Sequence, residues 1–270
     1  MEAYAAIVAF LIGASLGSFL NVVIDRVPEG RSLLRPGSAC DSCGRSLHPA
    51  ENIPIISYIV LRGQCRTCSA RIPIRVVIVE IATASLFLGL ALQHRFDPRF
   101  WALAASAALM IAIFFIDWER GLILNSMTYP AALIALAIAP LWPQMGLERT
   151  FMGDGGALGS FLNSLVSGAG AFLAFLFVVY ATRGGIGMGD VKLVLVMGFI
   201  LGYPGIVAAI WLGVIAGGVV AIALIAAKLK GRKDAIAFGP FLAAGMIVVM
   251  LSFNWLTERH AAHGIGGILR

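Results

Sequence analysis

Charge is scarce in this chain. Only 13% of its 270 residues are Asp, Glu, Lys or Arg, where a soluble domain carries about a quarter. Mean hydropathy is +0.92. A soluble globular fold is excluded on those grounds. Also missing are internal repeats, low-complexity tracts and a basic start ahead of the first apolar run. Met1-Glu2 is acidic, so the opening segment reads as a retained membrane helix rather than a cleaved signal. Strands alternating with helices around a Gly-rich turn are absent too, which excludes a soluble dinucleotide-binding type of fold. Cysteine is limited to four residues, all between 40 and 68.

What fills the chain is apolar sequence. Runs long enough to approach or span about 30 Å of hydrocarbon lie near 4–24, 76–93, 99–116, 127–142, 158–180, 190–202, 205–227 and 236–257. The expected fold is an all-α polytopic membrane protein of about eight transmembrane helices. Gly202, Pro204 and Gly205 mark either a tight turn between two spans or a kink within one. With eight alternating helices, 15 of the 20 Lys and Arg residues fall on the side of residues 25–75. The positive-inside rule makes that side cytoplasmic and puts both termini outside. The net charge of +6 is then a topology signal, and no argument for nucleic-acid binding.

Three parts follow: a first helix at 1–24, a polar cysteine insert at 25–75, and a bundle at 76–270. The insert is too small to hold itself together by an apolar core alone. Cys40, Cys43, Cys65 and Cys68 form two CxxC pairs separated by a 21-residue spacer. Two such knuckles complete a tetrahedral S4 set, for which zinc is the usual occupant. A reducing compartment argues against the alternative, two disulfides. Four sulfurs close the coordination sphere, so the metal's role is structural. His48 is a fifth ligand candidate or a solvated loop residue.

Acidic side chains in or beside the apolar runs are few: Asp25, Glu80, Asp117, Glu119 and Asp190. Each is a candidate because an isolated charge in lipid is expensive. Asp117 ends "ALMIAIFFID" and Asp190 begins "DVKLVLVMGFI". If they meet across the bundle they cannot both ionise easily; they would share a proton and hold a nucleophilic water. Gly187 and Gly189 would let a backbone approach closely there. The plain alternative is that Asp190 caps a helix and Asp117 and Glu119 pair with Arg120. Glu80 either orients a substrate, or pairs with Arg75 or Arg26 to hold the insert. Ser18 and Asn21 read as helix-packing polar contacts.

"GMGD" (187–190), the cysteine tetrad, "GASLGSFLNVVIDRVP" (13–28), "ENIPIISYIVLRGQCRTC" (51–68), "RIPIRVVIVE" (71–80) and "FGPFLAAG" (238–245) together resemble the bacterial type IV prepilin peptidases. These are membrane aspartyl proteases of the GxGD type. The resemblance implies cleavage of prepilin or pseudopilin leaders at the cytoplasmic face of the bacterial inner membrane. It further implies N-methylation of the new N-terminus with S-adenosylmethionine. It maps the catalytic pair onto Asp117 and Asp190. Departures lie at Leu124-Asn125, where many members have proline, and at Arg75-Val76-Val77, where the family often has Arg-Tyr-Pro. The second departure bears on methylation only. Competing readings are a peptidase without methyl transfer, a presenilin-like protease, and a zinc-stapled transporter whose aspartates carry protons or cations.

Overall fold

A computed structural model describes residues 2–147, 149–153, 155–182, 187–229 and 237–262. Gly184 and Gly185 of the glycine-rich stretch lie outside these residues. So do Arg183, Lys230, Arg232, Lys233 and Arg270, which enter the charge-asymmetry argument. Among the described residues there is no β-strand. The described residues form nine α-helices in order: α1 (Glu2–Arg26), α2 (Ile56–Val60), α3 (Ile74–His94), α4 (Pro98–Arg120), α5 (Asn125–Ile138), α6 (Ala157–Ala181), α7 (Met188–Leu201), α8 (Gly205–Ala226) and α9 (Gly239–Ala262).

Every apolar run expected from the sequence is a helix, and α2 is the addition. Five helices are long and apolar enough to cross a membrane: α1 from Tyr4, α3, α4, α6 and α8. The protein is thus a polytopic membrane protein. Helix α5 has only 14 residues before a 3-10 turn at Ala139–Leu141. Leu201 and Gly205 bound a true break between α7 and α8, with Gly202 at φ +65°. That resolves the alternative between turn and kink.

The chain divides into two compact units, Met1–Ile116 and Asp117–Arg270. In the first, α1 packs on α3 through small residues. A Cβ added at Gly17 would lie 2.7 Å from the Glu80 Cα, and one at Gly13 would lie 2.8 Å from the Ala84 Cα. Glycines four apart let helix backbones touch, which supplies the dispersion contact that lipid cannot offer. Polar contacts then fix the register. Arg75 pairs with Asp25 at 2.8 Å, and the Asn21 amide donates to the Val76 carbonyl at 3.0 Å.

In the second unit α7 is the core. It is apolar on all sides, and ten of its 14 residues are buried, as expected of a helix surrounded by others. Its far end is clasped by side chains. Arg149 donates to Ser164 Oγ at 3.1 Å and to the carbonyl of Ile200, and stacks over Trp142. Asn163 accepts from Tyr203 N–H at 2.7 Å. These bonds satisfy carbonyls and amides that a helix end leaves open.

Candidate active site and metal centre

Helix α7 starts at Met188, and the extended backbone of Gly187 just ahead caps it without a side chain. Asp190 is the third residue of the helix rather than its cap, and its N–H donates to Gly187 C=O at 3.1 Å. The helix therefore carries the carboxylate on its first turn. Here the helix dipole favours negative charge. Asp117 sits on the last turns of α4, followed by Gly121 at φ +64° where the chain reverses. The two carboxyl groups are 5% and 6% exposed, and they interact electrostatically with each other. Asp117 Oδ2 is buried without a hydrogen-bond partner.

Glycines and one isoleucine shape the space around this pair. Gly187 lies under Asp190, with 3.4 Å between Asp190 Oδ2 and the position of an added Cβ. Such a Cβ at Gly189 would fall 2.9 Å from the Ile123 Cβ. One at Gly239 would fall 2.5 Å from Asp117 Oδ2 and 2.8 Å from the Ile123 Cδ1. Gly239 and Ile123 were not singled out as site residues. "FGPF" carried the signal for Gly239, but only as a motif. Nothing marked Ile123, because an isoleucine in an apolar chain has no distinguishing chemistry. Two coupled, buried carboxyl groups with one unpartnered oxygen can share a proton and orient a water.

The cysteine insert is built from two matching turns. Cys40 N–H donates to Arg45 C=O and Gly44 N–H to Cys40 C=O, at 2.9 and 2.8 Å. Cys65 N–H donates to Ala70 C=O and Ser69 N–H to Cys65 C=O, at 2.8 and 3.0 Å. An isolated bridge closes each turn, Ala39 with Ser46 and Gln64 with Arg71. The residue after each CxxC has positive φ: Gly44 at +68°, and Ser69 at +57°. A non-glycine residue in that region costs about 1–2 kcal/mol.

All four sulfurs lie within 4.8 Å of one another, and Cys40 Sγ and Cys68 Sγ are 3.7 Å apart. A tetrahedral site with Zn–S bonds of about 2.3 Å has sulfur–sulfur edges near 3.8 Å. The cysteines are free thiols. Backbone amides of Cys68 and Thr67 hold the Cys65 thiol down at about 6, and those of Cys43 and Ser42 lower Cys40. For Cys68 the amide of Ala70 pulls downward, but the neighbouring sulfurs and burial prevail and raise it to about 11. Four clustered sulfurs, two of them with their thiols lowered by backbone amides, could hold a metal ion. His48 is not among them; its Nδ1 accepts from Ala50 N–H and caps the 3-10 turn Pro49–Asn52.

Glu80 pairs with neither Arg75 nor Arg26. Arg75 is taken by Asp25, and Arg26 donates to the carbonyls of Ser32 and Pro36. Glu80 instead accepts from Ile55 N–H at 2.7 Å and interacts with Ser18. It does hold the insert, but by a backbone amide. Sequence could not have named that partner, since any amide can serve. A cavity of about 220 Å³ opens between the insert and the α1–α3 pair, lined among others by Ser18, Asn21, Glu51, Tyr58 and Glu80. Asn21 Oδ1 is buried without a hydrogen-bond partner.

Buried coupled carboxyl groups in a helical membrane protein are compatible with aspartyl peptidase chemistry, and comparison with known proteins supplies the family. The family model of the bacterial peptidase A24 N-terminal domain matches residues 11–94, and that of the type IV leader peptidase family matches 103–222. The chain belongs to the type IV leader peptidase family. A protein of Bacillus subtilis (strain 168) named prepilin leader peptidase/N-methyltransferase is 30% identical over 90% of this chain and 93% of its own length. Proteins of the same name from Burkholderia pseudomallei (strain 1026b) and Neisseria gonorrhoeae are 33% and 32% identical. They cover 88% and 94% of this chain, and 82% and 96% of their own lengths. No solved structure gives a significant match. These relatives do not favour the transporter alternative.

Proposed function

We propose that this protein is a prepilin leader peptidase and N-methyltransferase, with Asp117 and Asp190 as its catalytic pair. The observation that carries the peptidase half is two buried carboxyl groups, electrostatically coupled, one with an unpartnered oxygen. In this reading the ionised member takes a proton from water while the protonated member donates to the scissile carbonyl oxygen. The water oxygen bonds to the carbonyl carbon, and the tetrahedral carbon then expels the amine, which leaves with the proton taken from water while a hydroxyl proton returns to the second aspartate. Gly187, Gly189 and Gly239 keep side chains off the path of an extended peptide. An apolar prepilin helix leaves its leader bond at the membrane surface, and the pair stands at helix ends to meet it.

The remaining parts of the reading rest on the same family membership. The eight apolar segments act as eight spans, with residues 1–24, 25–75 and 76–270 as anchor, insert and peptidase bundle. The protein resides in the bacterial inner membrane with both termini outside. The insert and the aspartates face the cytoplasm. Cys40, Cys43, Cys65 and Cys68 bind one structural zinc. S-adenosylmethionine, when bound, supplies an electrophilic methyl group for the new N-terminus. The cavity of the first unit is the place for such a ligand, because Glu80 in its lining offers a carboxyl group to the ligand's ammonium or hydroxyl hydrogens. Purified protein in detergent, incubated with a prepilin peptide and followed by mass spectrometry, tests both halves. Loss of the leader, and a further methyl group on adding S-adenosylmethionine, are expected. An intact peptide would refute the reading.

A further inference from the structure

Helix α2 is amphipathic the wrong way round for water. Its Ser57 and Tyr58 line the internal cavity. Ile56, Ile59 and Val60 point outward at 58%, 65% and 73% exposure, and Ile53 just ahead of them is exposed as well. Positions 56, 59 and 60 share one face of the helix, and Ile53 precedes it on extended backbone. A polar interior with an apolar exterior reverses the pattern of a water-borne helix. It is the pattern of an element bathed in lipid.

The height of α2 is fixed by bonds already described. Ile55 N–H is held by Glu80, five residues along α3 from Arg75, whose pairing with Asp25 closes the charged end of the α1–α3 pair. Five residues of helix are about 7.5 Å. The start of α2 thus lies between that level and the last charged pair of a membrane-crossing helix, since the Glu80 side chain leans back toward the helix start. Lipid-surface helices bury their apolar faces by about 5–10 Å. Two further facts agree. Ile74, Ile78 and Ile81 on α3 are also exposed, and a shallow groove joins the end of α2 to Ile74 through Tyr58, Arg62 and Ile72. Ile55 adopts φ +67°, which is strained for a β-branched residue. The chain accepts that strain to seat α2 beside Glu80.

We infer that residues 53–60 form a membrane-surface wedge, with Ile53, Ile56, Ile59 and Val60 buried in the bilayer at the headgroup–acyl boundary. The cysteine insert is then docked on the lipid as well as tethered by α1 and α3. The exposed Arg62 and Arg71 lie at the rim, where their guanidinium groups meet lipid phosphates.

Full-length protein in vesicles of phosphatidylcholine and phosphatidylglycerol tests this. Ile59→Trp is read as a difference from the wild type, which has 5 tryptophans of its own. Its added emission should be blue-shifted, and lipids brominated high on the acyl chain should quench it by about half or more. Lipids brominated near the chain end should quench it less. In parallel, a photoactivatable apolar lipid probe is applied to the wild type, so that folding of a variant is not at issue, and peptide mapping should find adducts within 53–60. Water-like, unquenched emission together with an unlabelled segment would overturn the inference. So would a blue shift that appears only when a prepilin peptide is added, which would assign the stripe to substrate instead of lipid.

Discussion

The cysteine insert and the aspartate pocket treat polar groups in opposite ways. In the insert, Arg45 donates to both oxygens of Glu51, Glu51 also receives His48 N–H, and backbone amides point at the sulfurs. In the pocket, Asp117 Oδ2 is buried with no hydrogen-bond partner, and the surrounding positions are glycine or isoleucine. The insert's Glu51 and sulfurs are well supplied with partners, Arg45 Nε being the exception, and they give a staple that has no reason to react. A buried oxygen left unsatisfied costs free energy, on the order of 1–3 kcal/mol, and persists at sites where chemistry uses it. The difference teaches where to look for catalysis in this chain, and it can be broken or sharpened by substitution.

The largest effect belongs to the pocket. Asp117→Asn and Asp190→Asn should each lower leader cleavage by about 10³-fold or more, and the double variant should be no worse, since the two act as a unit. Mass spectrometry of the prepilin peptide reads this. Methylation of a peptide already cleaved should survive both changes. Near-normal cleavage by Asp190→Asn would break the comparison outright.

Next come the glycines. Gly239→Ala places a methyl group against Asp117 Oδ2 and Ile123, and Gly189→Ala places one against Ile123 alone. Each should cost roughly 10–100-fold in cleavage, the range expected of small misplacements near a reacting centre. Adding Ile123→Ala should restore Gly189→Ala largely and Gly239→Ala only in part. Equal rescue would show that the Asp117 contact is unimportant.

The insert should answer differently. Purified protein should contain one zinc per chain by elemental analysis. Removing it with a chelator, or changing Cys43→Ser, should reduce methylation several-fold more than cleavage at equal protein levels. Equal loss of both would tie the staple to the peptidase. Protein without zinc, or with Cys40–Cys43 and Cys65–Cys68 disulfides in cells, would remove the metal from the account.

The smallest effects are the most specific. Ser69→Gly relieves a positive-φ serine in the second turn and should raise the protease resistance of the insert by about 0.5–1 kcal/mol in opening free energy. The same change in reverse, Gly44→Ser, should lower it. Glu119→Gln, two residues from Asp117 but exposed, should leave cleavage within about twofold of wild type.

Much of this organisation is written in the chain itself. Apolar runs become helices because lipid and buried cores both force the backbone to satisfy its own amides and carbonyls. Eight segments were therefore readable, most to within a few residues. CxxC spacing is equally local: two residues between cysteines suffice to turn the chain, so each knuckle folds from its own sequence. Tertiary structure alone decided what the pieces meet. Asp117 and Asp190 are 73 positions apart; their places at helix ends and the resemblance suggested a pair, but only packing brings the end of α4 to the start of α7. Gly239 and Ile123 complete that pocket through sterics that have no sequence signature. Glu80 found a backbone amide rather than an arginine, and Arg149 left its loop to clasp the end of α7. The outward face of α2 was invisible for the same reason. A five-residue helix has too short a period to show its stripe, and which side of a stripe counts as outside is set only when the rest of the chain has packed.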